Sequence, residues 1–297
     1  MTYTGFCLNS DIEIMELYTI CYFEFSKKYF PEGESHNFWE LVYVDKGEIT
    51  VVADNSEHLL SQGDIIFHKP NEWHELKATG TVAPNIVIMS FSSDSASMEY
   101  FKSKILSVNQ NQKKIISRII AEYSNAFLNP LNIKTGEPLH PRKNAPIGSQ
   151  QLLKNSICEL LISLKRGSNH PTEQTFSTRL NHSNTLLSLI LNYMQSNIHT
   201  TLRLEDIIKY SGSNKTTITS LFKEEYGMGA IEYFINLKIE QAKSLLREEE
   251  YNITQISEIL GYSGIHYFSR QFKKTTGISP SEYARSVNAM LPPLQKS

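Results

Sequence analysis

Cysteine is scarce in this chain of 297 residues, and the three present, Cys7, Cys21 and Cys158, are odd in number and far apart. They form no CxxC pair and no disulfide framework of the kind secreted domains carry, which points to a reducing cytoplasm. Long apolar runs are missing as well, and nothing approaches the roughly 18 residues a membrane span requires. The opening MTYTGFCLNSDIEIMELY meets acids early and has no basic region followed by an apolar core, so it does not read as a signal peptide. No glycine-rich phosphate loop, Ser-His-Asp arrangement or cysteine-based zinc spacing can be read. Catalytic residues and a cofactor are therefore not expected. Basic charge is not in excess either, since the net charge is −2. A dedicated nucleic-acid binder is usually basic, so any basic face has to come from segregation of charge.

What is present divides in two, as the length leads one to expect at about 100 to 200 residues per domain. Between about 18 and 92 the runs YTICYFEF, FWELVYVDKGEITVVAD, GDIIFH and NIVIMSF alternate and are rich in β-formers, with Gly, Asn and Asp between them. Short strands at close spacing predict a β-sandwich or small barrel. From 98 onward the period turns helical, with one face at Ile116, Ile119, Ile120, Tyr123 and Phe127 and another at Leu153, Ile157, Leu160, Leu161 and Leu164. The second series has the spacing of a helix–helix seam, which either packs on its own barrel or forms a dimer interface. A polar segment with Pro171, residues 167–183, reads as the linker.

The helical remainder says similar things twice. Phe222-Lys223 with Gly227 recurs as Phe272-Lys273 with Gly277, 50 residues on, while Ile207 and the cap Asn214 recur as Ile256 and the cap Ser263, 49 residues on. Each copy is a short helix, a tight glycine-containing turn and a longer helix, which is a helix-turn-helix. Between them GAIEYFINLKIEQAKSLLREEE forms one continuous helix. About 19 residues of it span roughly 28 Å, near the ~34 Å between successive major grooves on one side of a duplex. Ile218, Leu221 and Phe222 anchor the first outer helix and Phe268 and Phe272 the second. That leaves Lys215, Thr216, Thr217, Thr219 and Ser220, and in the second copy Ile265, His266, Tyr267, Ser269 and Arg270, to face base edges. Lys223, Lys273 and Lys274 suit phosphates.

The stretch ISEILGYSGIHYFSRQFKKTTGISPSEY, from Ile256 to Tyr283, resembles the signature of the AraC/XylS-type transcription regulators, and the first copy resembles that family's first helix-turn-helix. The N-terminal half is similar to the cupin barrel motif. Its first half is ESHNFWELVYVDKG, with Glu34, His36, Glu40 and Gly47, and its second is GDIIFHKPNEWH, with Gly63, Asp64, Pro70 and His74.

The resemblance implies an α+β chain. A cupin-like effector-binding and dimerisation domain covers 1–166, with its barrel at about 15–95 and helices at about 98–166. The linker at 167–183, a double helix-turn-helix domain at 184–290 and a tail at 291–297 follow. The function implied is sequence-specific binding of double-stranded DNA by a homodimer under a small-molecule effector such as a sugar, with RNA polymerase as a partner if the protein activates. The alternative is a cupin metalloenzyme with an accessory helical domain. Effector contacts are expected from His36, Phe38, Trp39, Glu40, Tyr43, Trp73 and His74. Metal-binding cupins hold a divalent ion at the positions of Glu34, His36, Glu40 and His74, with His where Glu34 stands here. In AraC-type sensors the same positions usually line a metal-free pocket, and no metal is expected.

Overall fold

The computed structural model describes residues 3–132, 136–167 and 178–289, with side chains from Leu186 to Val287 in the last stretch. The chain divides into two compact units at Pro171/Thr172. The expected linker lies mostly outside the described residues, and the expected tail, 291–297, wholly so.

The first unit holds β1 (Glu16–Glu24), β2 (Trp39–Lys46), β3 (Glu48–Ala53), β4 (Ser56–Ser61), β5 (Asp64–His68), β6 (His74–Ala78), β7 (Asn85–Ser92) and β8 (Ile105–Ser107), then α1 (Gln110–Ala126) and α2 (Ser149–Arg166). All strand pairs are antiparallel, in a five-stranded sheet ordered β1-β7-β2-β5-β8 and a three-stranded sheet ordered β4-β3-β6. Gly47 makes the turn between β2 and β3 at φ +71°, where a Cβ would lie 2.8 Å from the Ala83 carbonyl oxygen. Only glycine fits that position.

Two apolar layers result. Val42, Val44, Ile66 and Ile88 of the large sheet meet Ile49, Val51, Leu60 and Leu76 of the small one. On the other face of the large sheet, Trp39, Leu41, Tyr43 and Phe67 pack under α1 and α2. The seam Leu153, Ile157, Leu160 and Leu164 is buried in this second layer, so it covers its own sheet and α1 and is not a free face for a second protomer. Burial of one such leucine stabilises the fold by about 1.5–3 kcal/mol.

The second unit is all helical: α3 (Thr178–Ser196), α4 (Leu204–Ser211), α5 (Lys215–Tyr226), α6 (Ala230–Glu248), α7 (Ile253–Ile259), α8 (Ile265–Thr276) and α9 (Pro280–Ala289). The end of the expected linker is thus helical from Thr178, since its polar composition hides the period of α3. The repeat is a repeat of cores. Ile218 and Phe222 of α5 bury against Ile207, Ile190 and Met194. Phe268 and Phe272 of α8 bury against Ile256, Leu260, Tyr283 and Val287. One helix serves both, because α6 gives Ala230 and Phe234 to the first core and Ile239, Ala242, Leu245 and Leu246 to the second.

Candidate nucleic-acid interface and effector pocket

Asn214 caps α5, its side-chain oxygen accepting from the Thr217 N–H at 2.9 Å. Its side chain therefore holds the helix start. Around the helix, Lys215, Thr216, Thr217, Ser220 and Lys223 are exposed and Thr219 is half-buried. The Ser220 hydroxyl donates to Glu224 at 2.8 Å.

In the second copy the expected cap, Ser263, is one residue too early. The N-cap of α8 is Gly264, in extended backbone and without a side chain to accept. Aligning Asn214 with Gly264 restores the offset of 50 all the way to the C-caps Gly227 and Gly277, and places the extra residue in the turn. Propensity favours Ser over Gly as a cap. The longer turn overrides it.

On α8, His266, Tyr267, Arg270, Lys273 and Lys274 are exposed, with Ile265 and Ser269 half-buried beside them. The Tyr267 hydroxyl accepts from Gln271 Nε2 at 3.2 Å. Between Ile265 and Thr276 there are three cationic residues and no acid, whereas Lys215 and Lys223 of α5 are offset by Glu224 and Glu225. The predicted segregation of charge is therefore strongest on the second outer helix.

In the first unit the sequence candidates separate into two groups. Glu40 points away from the helices, its carboxylate accepting from the Ser90 hydroxyl at 2.8 Å. His36 Nε2 lies 3.5 Å from Glu40, and His74 Nε2 lies 3.3 Å from Glu40 and 3.8 Å from Glu34. Glu34 is held beside His74 by a two-way backbone bridge, with N–H to oxygen distances of 2.8 and 2.9 Å. Phe38 stacks on His36 at 3.9 Å and on Tyr18 at 4.2 Å. Burial lowers the His74 pKa, but the adjacent Glu40 outweighs it and the net direction is upward. His68, stacked on His74 at 4.2 Å, has its pKa lowered by burial.

Trp39 and Tyr43 belong elsewhere. They occupy the opposite face of β2, under the helices, where strand alternation puts them once Glu40 faces the other way. Trp73 is partly exposed, its ring against Gly33. Neither it nor those two lines the cavity found beside Phe38 among the described residues.

That cavity, of about 630 Å³, is lined by Glu16, Tyr18, Phe38, Ser90, Tyr123 and Glu137 among others. One wall is the irregular segment Gly136–Leu139, and burial raises the Tyr123 hydroxyl pKa to about 12. Only Phe38 was among the sequence candidates. Glu16 and Tyr18 carry no motif, and Glu137 lies in a loop without period. The one available signal was adjacency to Phe38 across strands.

A ligand-sized cavity in one unit and paired outward helices in the other define a ligand-responsive DNA-binding regulator. Residues 19–190 match the AraC-like ligand binding domain and residues 207–286 a helix-turn-helix domain. The chain belongs to the AraC family of transcriptional regulators, with an effector-binding domain and a DNA-binding domain.

It is 24% identical over 82% of its length to an uncharacterized HTH-type transcriptional regulator, YfiF, of Bacillus subtilis, covering 76% of that protein. It is 21% identical over 84% of its length to the HTH-type transcriptional activator RhaR of Yersinia pseudotuberculosis, covering 83% of it. Among solved structures, unsaturated fatty acid bound ToxT of Vibrio cholerae matches at 16% identity over 96% of this chain and 99% of that one, with a TM-score of 0.35. Among the described residues no helix is long and apolar enough to cross a membrane.

Proposed function

We propose that the protein acts in the cytoplasm as a homodimer and reads promoter DNA with α5 and α8 of each protomer in successive major grooves. Lys215, Thr216, Thr217, Thr219 and Ser220 from one helix, and Ile265, His266, Tyr267, Ser269 and Arg270 from the other, face the bases. Lys223, Lys273 and Lys274 take phosphates. The observation that carries this reading is the mounting of both outer helices on the single rod of α6, 19 residues and thus about 28 Å long.

The effector of this reading occupies the cavity beside Phe38. Aromatic rings at Tyr18, Phe38 and Tyr123 supply faces for ring carbons, and the carboxylates of Glu16 and Glu137 accept from hydroxyls and repel anions. A neutral polyhydroxylated molecule such as a sugar fits this set. Its binding shifts the balance between two protomer arrangements only to the extent that it prefers one of them. RNA polymerase becomes a partner where the bound arrangement activates.

Selection of bound duplexes from a random pool, with and without a metabolite extract, tests the reading. The expected result is an enriched motif of two half-sites about 10 base pairs apart whose recovery changes with the extract. Recovery of random sequence in both arms would overturn it.

A further inference from the structure

We propose that His199, Thr201 and Lys238 are positioning residues for DNA recognition: from outside the second helix-turn-helix they hold the carbonyls of its turn, and so set the helical phase at which α8 meets DNA relative to α5. The proposal rests on the reading of α5 and α8 as the two reading helices.

Three successive carbonyls at the turn between α7 and α8 take a donor from elsewhere in the unit. His199 Nδ1 donates to Ile259 at 2.9 Å, Lys238 Nζ to Leu260 at 2.6 Å, and the Thr201 hydroxyl to Gly261 in a longer contact of 3.4 Å. A carbonyl only accepts, so the His199 proton on that side sits on Nδ1. The donors come from two directions. Lys238 stands on α6 between Phe234 of the first core and Ile239 of the second. His199 and Thr201 lie on the connection from α3 to α4, whose two ends are buried in the first core by Met194 and Leu202. The connection is braced internally as well. Asn197 Nδ2 donates to the Tyr193 carbonyl at 2.8 Å, and the Thr200 hydroxyl to the Asn197 carbonyl at 2.9 Å.

Geometry gives these bonds a task that apolar packing performs less well. A rod shared by two bodies fixes their separation along it but resists their turning about it only weakly, because packed helix faces tolerate small sliding. A directional hydrogen bond off the axis of the rod opposes that turning. The connection at 199–201 is such an off-axis tie, and Lys238 locks the same turn to the rod itself. On a duplex of about 10 base pairs per turn, one base pair changes the phase of a half-site by about 36° and its distance by ~3.4 Å. Rotation of the second helix-turn-helix about α6 by that angle is therefore equivalent to one base pair of spacing.

Duplexes carrying the two selected half-sites, at the selected spacing and with one base pair inserted or removed, are titrated against the full-length protein and its His199→Ala, His199→Asn and Lys238→Met variants. The parent is expected to prefer its own spacing by about tenfold or more. His199→Ala and Lys238→Met should each reduce that ratio to about threefold or less, with base preferences inside each half-site unchanged. His199→Asn, whose amide can still donate, should restore the ratio. His199 is exposed, so its variants keep the fold should the lysine variant not. A merely structural role would weaken every spacing alike, so variants that discriminate as the parent does overturn the positioning role alone. A parent indifferent to spacing overturns the reading of paired helices, and the proposal with it.

Discussion

Lys238 Nζ lies 2.6 Å from the carbonyl oxygen of Leu260, buried in the middle of α6 and set over the rings of Phe234 and Tyr262. Burial lowers its pKa from 10.5 to about 8. Between those values the unfolded chain holds a proton that the folded chain releases, so stability rises with pH across that window. Lys238→Met removes the gradient. Denaturant midpoints of parent and variant should diverge between pH 8 and pH 10, the parent gaining on the order of 2 kcal/mol relative to the variant. Parallel pH profiles would show that Lys238 is not held as a buried cation.

Asn214 and Gly264 occupy equivalent cap positions with unequal chemistry. Asn214→Ala should cost about 1 kcal/mol of second-unit stability, while Gly264→Asn should add a few tenths. A Cβ at Gly264 meets nothing within 4 Å, so the added side chain is accommodated. Calorimetry of both variants checks the pair.

The exposed cations of α8 separate two kinds of contact. Arg270→Ala and His266→Ala should lose sequence preference, by about 1–3 kcal/mol for a bidentate base contact. Lys273→Ala and Lys274→Ala should weaken all duplexes alike and reduce the salt slope by about 1 each. Titrations of a selected and a random duplex at several salt concentrations decide. Identical behaviour of all four variants would remove α8 from the recognition role.

Leu139 closes one side of the cavity from the irregular segment 136–139. Leu139→Trp should fill it and abolish the effector-dependent change in duplex recovery while leaving duplex binding intact. A variant that still responds places the effector elsewhere.

The two units differ in how far their sequence could be read. In the second, a single polar side and a single apolar side make the period legible, so Phe268 and Phe272 read as anchors from their spacing alone. Strand β2 is buried on both faces, and alternation then carries no sign. Glu40 marks the inner face only because a buried carboxylate needs partners, and Trp39 and Tyr43 follow to the outer one. The cavity was least legible, since Tyr123 reads as one more apolar position of α1 and Glu137 belongs to a loop whose place is fixed by tertiary contact alone. Ser263 shows the reverse error, in which a strong local preference loses to one extra residue in a turn.

Gly261 is fixed by its surroundings as well as by its φ of +62°, because a Cβ there would stand 2.2 Å from the His199 carbonyl oxygen. His199 in turn donates from Nδ1 to the Ile259 carbonyl at 2.9 Å. The segment that leaves α3 is therefore keyed into the turn of the second helix-turn-helix, while α3 itself packs into the core of the first. One short segment thus ties the two helix-turn-helix units together in addition to α6.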